Sequence, residues 1–365
     1  MFLLGSNASY LHFRLNFYSV PFAASLMFTT LGLWLWLKAT PERHPGRGEH
    51  VHVGSWSVAG AQPLSLRYLA AGAACIAANF GCRPTFALSA LLCFPIFWPQ
   101  ITSLLQGLKS RSLPPRRALR APAAVIIPAL IVVLPLMAYN VARFGSPLDF
   151  GNDYQMTVTD MTRFVQPTAN FLPSVGAYLF LPLRFTSEFP FIGMTPMAFR
   201  EWGYYELMAG GLFTACPLLL LALAAPFLRR RMHRSGYWGL ATCSLALAVL
   251  LAVFDSHTAG LGWRYICDFG WMMAIAALAP MLYLMHPDGD AIVAGAPDPS
   301  DRNEPRRDVT KRHPMVLACV RGLVAAVLMA SIILAVLACF IPGRDDSLIN
   351  NNPVLYDTVV AWFRL

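Results

Sequence analysis

Residues 123–138 read AAVIIPALIVVLPLMA, and this apolar run passes directly into YNVARFGSPLDFGNDY, residues 139–154. The first stretch supplies most of a membrane-spanning helix, which needs about 20 predominantly apolar residues. The second stretch introduces Asn, Arg, Asp, Gly and Tyr, residue types that bind sugars and phosphates. A polar, aromatic segment at the end of a span indicates chemistry at a membrane boundary.

The composition of the whole chain is that of an integral membrane protein. It has 365 residues, of which 56% are hydrophobic and only 13% are charged, whereas a soluble domain carries about 25% charged residues. The net charge of +9 comes from Lys and Arg in short segments, so it indicates orientation in the membrane. No basic stripe with interleaved aromatic residues is present, and no nucleic-acid partner is predicted.

Hydropathy predicts an all-α, polytopic transmembrane bundle, residues 1–341, with about eight spans. The predicted spans are residues 17–37, 66–82, 84–105, 121–142, 203–228, 236–255, 264–286 and 315–341. Lys and Arg concentrate in segments 38–65, 106–120, 229–235 and 287–313, which are therefore predicted to be cytoplasmic. This places outside the cell the partly helical loop 143–202 and the tail 342–365, in a multi-pass protein of the cell membrane.

The same topology places the N-terminus outside, only 16 residues before the first span. The first 17 residues lack a basic region and a cleavage site, so they are not a typical signal peptide. We therefore expect the chain to be the C-terminal portion of a larger architecture. An odd number of upstream helices would deliver the first span from outside.

The sequence predicts neither a metal site nor a redox site. The eight Cys residues are scattered and form no CxxC pair, so we interpret them as small buried apolar residues. Residues 49–52, EHVH, lack the spacing of a helical HExxH site. No cofactor is predicted, although the sequence leaves a requirement for a divalent metal open.

Three polar patches are predicted to converge on the outer face. The first is the loop after the fourth span, with Asn140, Arg143, Asp149, Asn152, Asp153 and Tyr154. The second is Arg83 in the hairpin between the second and third spans. The third surrounds the start of the seventh span, with His257, Arg264, Tyr265 and Asp268.

Three Arg residues at one level favour a phosphate site, because a guanidinium binds phosphate through two hydrogen bonds. The alternative for each Arg is snorkelling of a helix-end side chain to the membrane surface. Arg264 and Asp268 are four residues apart, so they are expected to share a helix face and could pair. For segment 171–200, two readings stay open: an amphipathic helix that dips Tyr178, Phe180 and Leu181 into lipid, or a plug packed on the bundle.

Three stretches stand out together, NFGCRPTF at 79–86, YNVARFGSPLDFGNDYQ at 139–155 and RYICDF at 264–269. They resemble segments of a known family, the GT-C type of membrane glycosyltransferases that use polyprenyl-phosphate sugars. The chain looks most similar to the bacterial protein mannosyltransferases and the RgtA/B/C/D-like transferases. The resemblance covers residues 65–285 well and the last 80 residues by hydropathy alone.

This resemblance implies transfer of a sugar from a polyprenyl-phosphate donor to an acceptor on the outer face. Basic residues would stabilise the departing phosphate. The predicted donor-binding residues are therefore Arg83, Arg264 and His257, together with Tyr265 and Asp268 beside Arg264. Asn140, Arg143, Asn152 and Tyr154 would form a substrate loop.

The family places its catalytic base, a carboxylate, in the first extracytoplasmic loop, but residues 1–37 contain no Asp or Glu. This leaves open whether the chain is a truncated portion that is inactive alone, and the catalytic base is not identified, with Asp149 and Asp153 as weak candidates. A transporter or flippase and a non-catalytic membrane scaffold stay open as alternatives. The sequence predicts neither the sugar, the acceptor nor the oligomeric state.

Overall fold

The chain folds as an all-α helical bundle, as predicted. The computed structural model describes residues 1–14, 17–40, 64–111, 113–151, 154, 166–229, 237–285, 314–343 and 347–363. Within these ranges the only sheet is one antiparallel pair of two-residue strands. The EHVH stretch at 49–52 and most of the predicted cytoplasmic segments 38–65 and 287–313 lie outside the described residues.

The α-helices of the described ranges are numbered in chain order. They are α1 Phe2–Gly5, α2 Ala8–Phe13, α3 Ser19–Ala39, α4 Leu66–Cys82, α5 Cys93–Ile96, α6 Trp98–Lys109, α7 Pro115–Ala118, α8 Arg120–Phe144, α9 Thr168–Phe180, α10 Leu212–Ala215, α11 Tyr237–Thr258, α12 Ile266–Met285, α13 Pro314–Ala338, α14 Leu348–Asn351 and α15 Pro353–Phe363. Three 3₁₀ helices cover Pro84–Leu92, Pro217–Leu228 and Trp263–Tyr265, and the two strands are β1 Arg184–Phe185 and β2 Ile192–Gly193.

Among the described residues, five helices are long and apolar enough to cross a membrane. They are α3, α8, α11, α12 with the preceding 3₁₀ turn, and α13. The predicted spans 17–37, 121–142, 236–255, 264–286 and 315–341 correspond to them within a few residues. The predicted number of about eight spans is not confirmed.

The other three predicted spans differ from a single long helix. Residues 84–105 divide into two helical parts, Pro84–Ile96 and Trp98–Lys109, which bend by 64° at Phe97. The predicted span 203–228 has no helix before Leu212 and then continues as a 3₁₀ helix from Pro217. Helix α4 matches the predicted span 66–82, but at 17 residues it is shorter than the five long helices.

Helix α12 lies at the centre of the larger hydrophobic core. Its Phe269, Trp271 and Met272 are fully buried, and it packs against α11, α1 and the 3₁₀ helix Pro217–Leu228. This inner position explains why nearly its whole surface is apolar, since a helix surrounded by protein has no polar face.

Helices α3, α4 and α8 form a second group, centred on a smaller core that contains Trp36, Leu69 and Ile76. The α3–α4 contact depends on glycine. A Cβ atom at Gly72 would lie 2.4 Å from Trp36 Cδ1 and 2.9 Å from the carbonyl oxygen of Gly32. Small residues let membrane helices approach closely in this way.

Helix α8 packs on α4 and presents its outward face freely, with Ile127 and Ile131 more than half exposed. It also holds Pro128 and Pro135 within its length, which membrane helices tolerate better than soluble ones. This exposed apolar face is what lipid contact requires.

The described part of loop 143–202 is partly helical, as predicted. Helix α9 packs on the bundle with Tyr178 fully buried, and Leu181 just beyond its end is also buried. The structure therefore favours the interpretation that Tyr178 and Leu181 belong to a plug packed on the bundle, while Phe180 is exposed. The strand pair follows, and Phe189 in its turn stacks on Phe363 of α15 with ring centroids 4.7 Å apart.

We expect Gly72→Ala to lower the free energy of unfolding by about 1–3 kcal/mol, because the added methyl group overpacks the α3–α4 contact. Thermal unfolding of the detergent-solubilised chain measures the loss. Gly322→Ala in α13 is the matched control, since a Cβ there meets no atom within 4 Å. Equal stability of the two variants would contradict the proposed contact.

Candidate functional site

Arg83 lies at the hairpin between α4 and the 3₁₀ helix that starts at Pro84. Its Nε donates to Asp268 Oδ1 at 2.6 Å, and its Nη2 donates to Asp268 Oδ2 at 2.5 Å. The hydroxyl of Thr85 donates to Asp268 Oδ1 at 3.0 Å. Asp268 is fully buried, so its charge is compensated by a two-pronged ion pair and a third hydrogen bond.

Asp255, near the end of α11, is a second buried carboxyl beside Arg83. Its Oδ1 lies 4.0 Å from Arg83 Nη2. Its Oδ2 is buried and has no hydrogen-bond partner among the described residues. Asp255 therefore contributes to the electrostatics around Arg83 but is held much less firmly than Asp268.

Arg264 pairs with a residue from a different part of the chain. Its Nη1 lies 2.5 Å from Glu206 Oε1, and its Nη2 donates to the hydroxyl of Tyr204 at 3.1 Å. That hydroxyl in turn donates to Glu206 Oε1 at 2.7 Å. Burial, and next the charge of Glu206, raise the pKa of Tyr204, so its hydroxyl keeps the proton that it donates.

Tyr265 joins the two arginines. Its ring centroid lies 5.1 Å from Arg83 Cζ and 5.0 Å from Arg264 Cζ, within the range of cation–π attraction. Two aromatic rings at the start of α3 add further contacts. The ring centroid of Phe22 lies 4.0 Å from Arg83 Cζ, and that of Tyr18, just before the helix, lies 4.9 Å from Arg264 Cζ.

We call this set the charged cluster. Its members are Arg83, Tyr204, Glu206, Asp255, Arg264, Tyr265 and Asp268. It brings two guanidinium groups and three carboxyl groups together at the hairpin end of the bundle.

The turn before Arg264 has little conformational freedom. Gly260 has φ +80°, and a Cβ there would lie 2.4 Å from the carbonyl oxygen of Tyr204. The buried hydroxyl of Tyr178 donates to the carbonyl of Gly260 at 2.8 Å and accepts from the Gly262 amide at 3.0 Å. Burial raises the pKa of Tyr178, so this donor is retained. The turn therefore fixes the backbone position from which the Arg264 side chain extends.

The predicted pairing of Arg264 with Asp268 is wrong. Residues Trp263–Tyr265 form a 3₁₀ turn, and α12 begins only at Ile266. Arg264 and Asp268 therefore do not share a regular α-helical face. Each instead pairs with a distant residue, Glu206 or Arg83.

The predicted substrate loop is stabilised mainly by its own residues. Asn140 is buried and donates to the carbonyl of Pro147 at 3.2 Å, while Arg143 donates to the hydroxyl of Tyr139 at 2.8 Å. Asp149 Oδ1 accepts from the Gly151 amide at 2.8 Å. Tyr154 is exposed and packs on Phe144.

Within the described residues, no hydrogen bond or ion pair links this loop to Arg83 or Arg264. An aromatic contact between Phe150 and Phe80 of α4, with ring centroids 5.3 Å apart, joins the loop to the helix that precedes the hairpin. Asn152 and Asp153 lie outside the described residues. Of the three patches predicted to converge, the structure brings together Arg83 and the residues around Arg264. In the described residues, the loop after α8 has no hydrogen bond or ion pair to either arginine.

His257 is exposed on α11 and packs edge-on against Phe171, with ring centroids 6.3 Å apart. Within the described part of the chain, no side-chain hydrogen bond, ion pair or ring contact links His257 to the charged cluster. The described residues also contain no group of three or more His, Cys, Asp or Glu side chains suited to a metal ion. All eight Cys residues are free thiols.

Tyr204 and Glu206 are members of the cluster that the sequence interpretation missed. They lie in EWGYYE, residues 201–206, and the predicted span 203–228 includes the last four of these residues. In the structure this stretch is not helical, and Gly203 precedes the two residues. The high proportion of aromatic and acidic residues in this stretch was the sequence feature that could have indicated a functional site.

Comparisons with known proteins identify no relative. No protein-family model matches the chain, and neither a curated protein nor a solved structure matches it.

Asp268→Asn should lower the free energy of unfolding by about 3 kcal/mol, because it removes the charge of the close partner of the buried Arg83 guanidinium. Asp255→Asn is the matched control and should cost less than about 1 kcal/mol, since Asp255 Oδ1 lies 4.0 Å from Arg83 Nη2, much farther than Asp268 Oδ2 at 2.5 Å. Denaturant titration in mixed micelles measures both. Equal losses would contradict the assignment of Asp268 as the main partner of Arg83.

Proposed function

We propose that the chain is a glycosyltransferase-like membrane protein whose charged cluster binds the phosphate of a polyprenyl-phosphate-linked sugar. The carrying observation is the placement of Arg83 and Arg264 around Tyr265, with 22% and 13% of their side chains exposed. Two guanidinium groups that contact the same ring suit a phosphate, which accepts several charge-assisted hydrogen bonds. Ionisable residues within a membrane bundle are rare and generally functional.

The surroundings of the cluster suit a lipid-linked ligand. Tyr18 and Phe22, which contact the two arginines, lie at the start of α3. Nearby Val20 on the same helix is 63% exposed, as expected for a residue that faces lipid. A phosphate held at the cluster would therefore have its apolar chain beside α3, within the bilayer.

The carboxylates of the cluster are compatible with this role. Asp268 and Glu206 neutralise the guanidinium groups and hold them in place. Glu206 is 14% exposed at its side chain, whereas Asp268 is closed off. The Arg264 pair is therefore the one that an incoming phosphate would exchange with more easily.

The reaction that follows from this proposal is sugar transfer to an acceptor hydroxyl on the outer face of the cell membrane. The bond between the sugar and the phosphate breaks, and negative charge develops on the departing polyprenyl phosphate. Arg264 and Arg83 would stabilise that charge, which is typically the largest single contribution to such catalysis. The resemblance at residues 79–86, 139–155 and 264–269 supports the same assignment.

Arg264→Gln should weaken binding of a polyprenyl phosphate by about 10-fold or more, the loss expected for charge-assisted hydrogen bonds. Native mass spectrometry of the full chain in nanodiscs measures the affinity, with polyprenyl phosphate as the probe. Arg321→Gln is the control, because Arg321 is exposed and bonds to the carbonyl of Met285 at the other end of α12. Equal binding by wild type and Arg264→Gln would overturn the proposed phosphate site.

Transfer should fall by about 100-fold or more in Arg264→Gln and Arg83→Gln. The assay uses membranes that contain the chain, a panel of radiolabelled polyprenyl-phosphate hexoses and pentoses, and recovery of label in the acceptor. Thermal unfolding of each variant separates loss of catalysis from loss of fold. Unchanged transfer in folded Arg264→Gln would contradict the assignment.

A transporter or flippase is the second candidate, and the 64° bend between Pro84–Ile96 and Trp98–Lys109 favours it. Discontinuous helices are typical of transporters. Reconstituted vesicles with a fluorescent polyprenyl phosphate distinguish the two functions. Movement of the lipid between leaflets without sugar transfer would favour the flippase.

A further inference from the structure

Glu206 is the carboxyl group of the charged cluster that an acceptor could reach. Its side chain is 14% exposed, whereas Asp255 and Asp268 have only 2% and 0% exposed. Of the weak candidates from the sequence, Asp149 already caps the turn at Gly151, and Asp153 lies outside the described residues.

The backbone holds Glu206 firmly although its segment is not helical. The Glu206 amide donates to the carbonyl of Leu261 at 2.7 Å, and the Leu261 amide donates to the carbonyl of Tyr204 at 3.1 Å. These two bonds fasten Glu206 to the rigid turn that leads to Arg264. A carboxyl group placed by such a supported segment has the fixed position that proton transfer requires.

The contacts of Glu206 also show what a bound phosphate would change. Glu206 Oε1 receives both Arg264 Nη1 and the Tyr204 hydroxyl. A phosphate at Arg264 would compete for the guanidinium group and leave the carboxylate with the Tyr204 hydrogen bond. A carboxylate released from Arg264 in this way can accept a proton from a hydroxyl group placed beside it.

We propose that Glu206 is the catalytic base, which becomes available when the donor phosphate takes Arg264. This inference rests on the proposed function and deepens it. It implies an order of binding, with the polyprenyl-phosphate sugar first and the hydroxyl-bearing acceptor second.

The chemical step balances without a further reactant. The acceptor hydroxyl gives its proton to the Glu206 carboxylate while its oxygen forms a bond to the anomeric carbon of the sugar. The bond between that carbon and the phosphate oxygen breaks, and its electron pair leaves with the polyprenyl phosphate. Glu206 then returns the proton to water.

Glu206→Gln tests this role, because the amide keeps the shape but cannot accept the proton. We expect transfer to fall by about 100-fold or more, with the loss in kcat and not in the KM for the donor. Polyprenyl phosphate should bind at least as tightly as to the wild type, since the competing charge at Arg264 is gone. Glu201→Gln is the matched control, an exposed carboxylate five residues earlier in the same segment.

The outcomes separate the two proposals. Wild-type-like transfer in Glu206→Gln, with an active wild type, would overturn the role of Glu206 alone. Parallel loss of phosphate binding and transfer in this variant would assign Glu206 to the positioning of Arg264, and would also overturn its role as base. A wild type that neither binds polyprenyl phosphate nor transfers sugar would overturn the proposed function and the inference with it.

Discussion

The ion pair between Arg83 and Asp268 is the interaction on which the arrangement of the bundle depends. It connects the hairpin after α4 with the start of α12, and so joins the two groups of packed helices. Asp268 is fully buried, and a carboxylate in such an environment is stable only with a close opposite charge. The main effect of the pair is therefore to fix one relative position of the two helix groups. It contributes little stability beyond that of an apolar contact of the same size.

The position of Arg83 determines the surroundings of Arg264. With Arg83 held by Asp268, the ring of Tyr265 lies against both guanidinium groups, and the start of α3 supplies Tyr18 and Phe22. The two arginines differ in how they are paired, because the partner of Arg83 is closed off and the partner of Arg264 is partly exposed. One arginine is thereby suited to hold the site together and the other to exchange its partner.

Sequence patterns predicted the long apolar helices well, because lipid and a buried core both demand runs of apolar residues. They failed where the backbone departs from the α-helix. At Pro84 and Pro217 the apolar composition continues, but the chain forms 3₁₀ helices, and Phe97 marks a sharp bend. Hydropathy measures transfer to lipid and contains no information on the hydrogen-bond pattern that the backbone adopts.

The partners of the charged residues could not be obtained from local spacing. Arg83 and Asp268 are 185 residues apart, and Arg264 and Glu206 are 58 residues apart. The spacing of Arg264 and Asp268 suggested a helical pair, but the 3₁₀ turn before α12 removes the helical geometry that such a pair needs. Glu206 was missed for a related reason, since an apolar window that includes it indicates a span. A non-helical stretch is where a carboxylate can be held by main-chain bonds from another segment and still face a ligand. Leu261 makes those bonds here. The non-helical backbone that made the span prediction wrong at this point is therefore also what holds Glu206, the proposed base, in position.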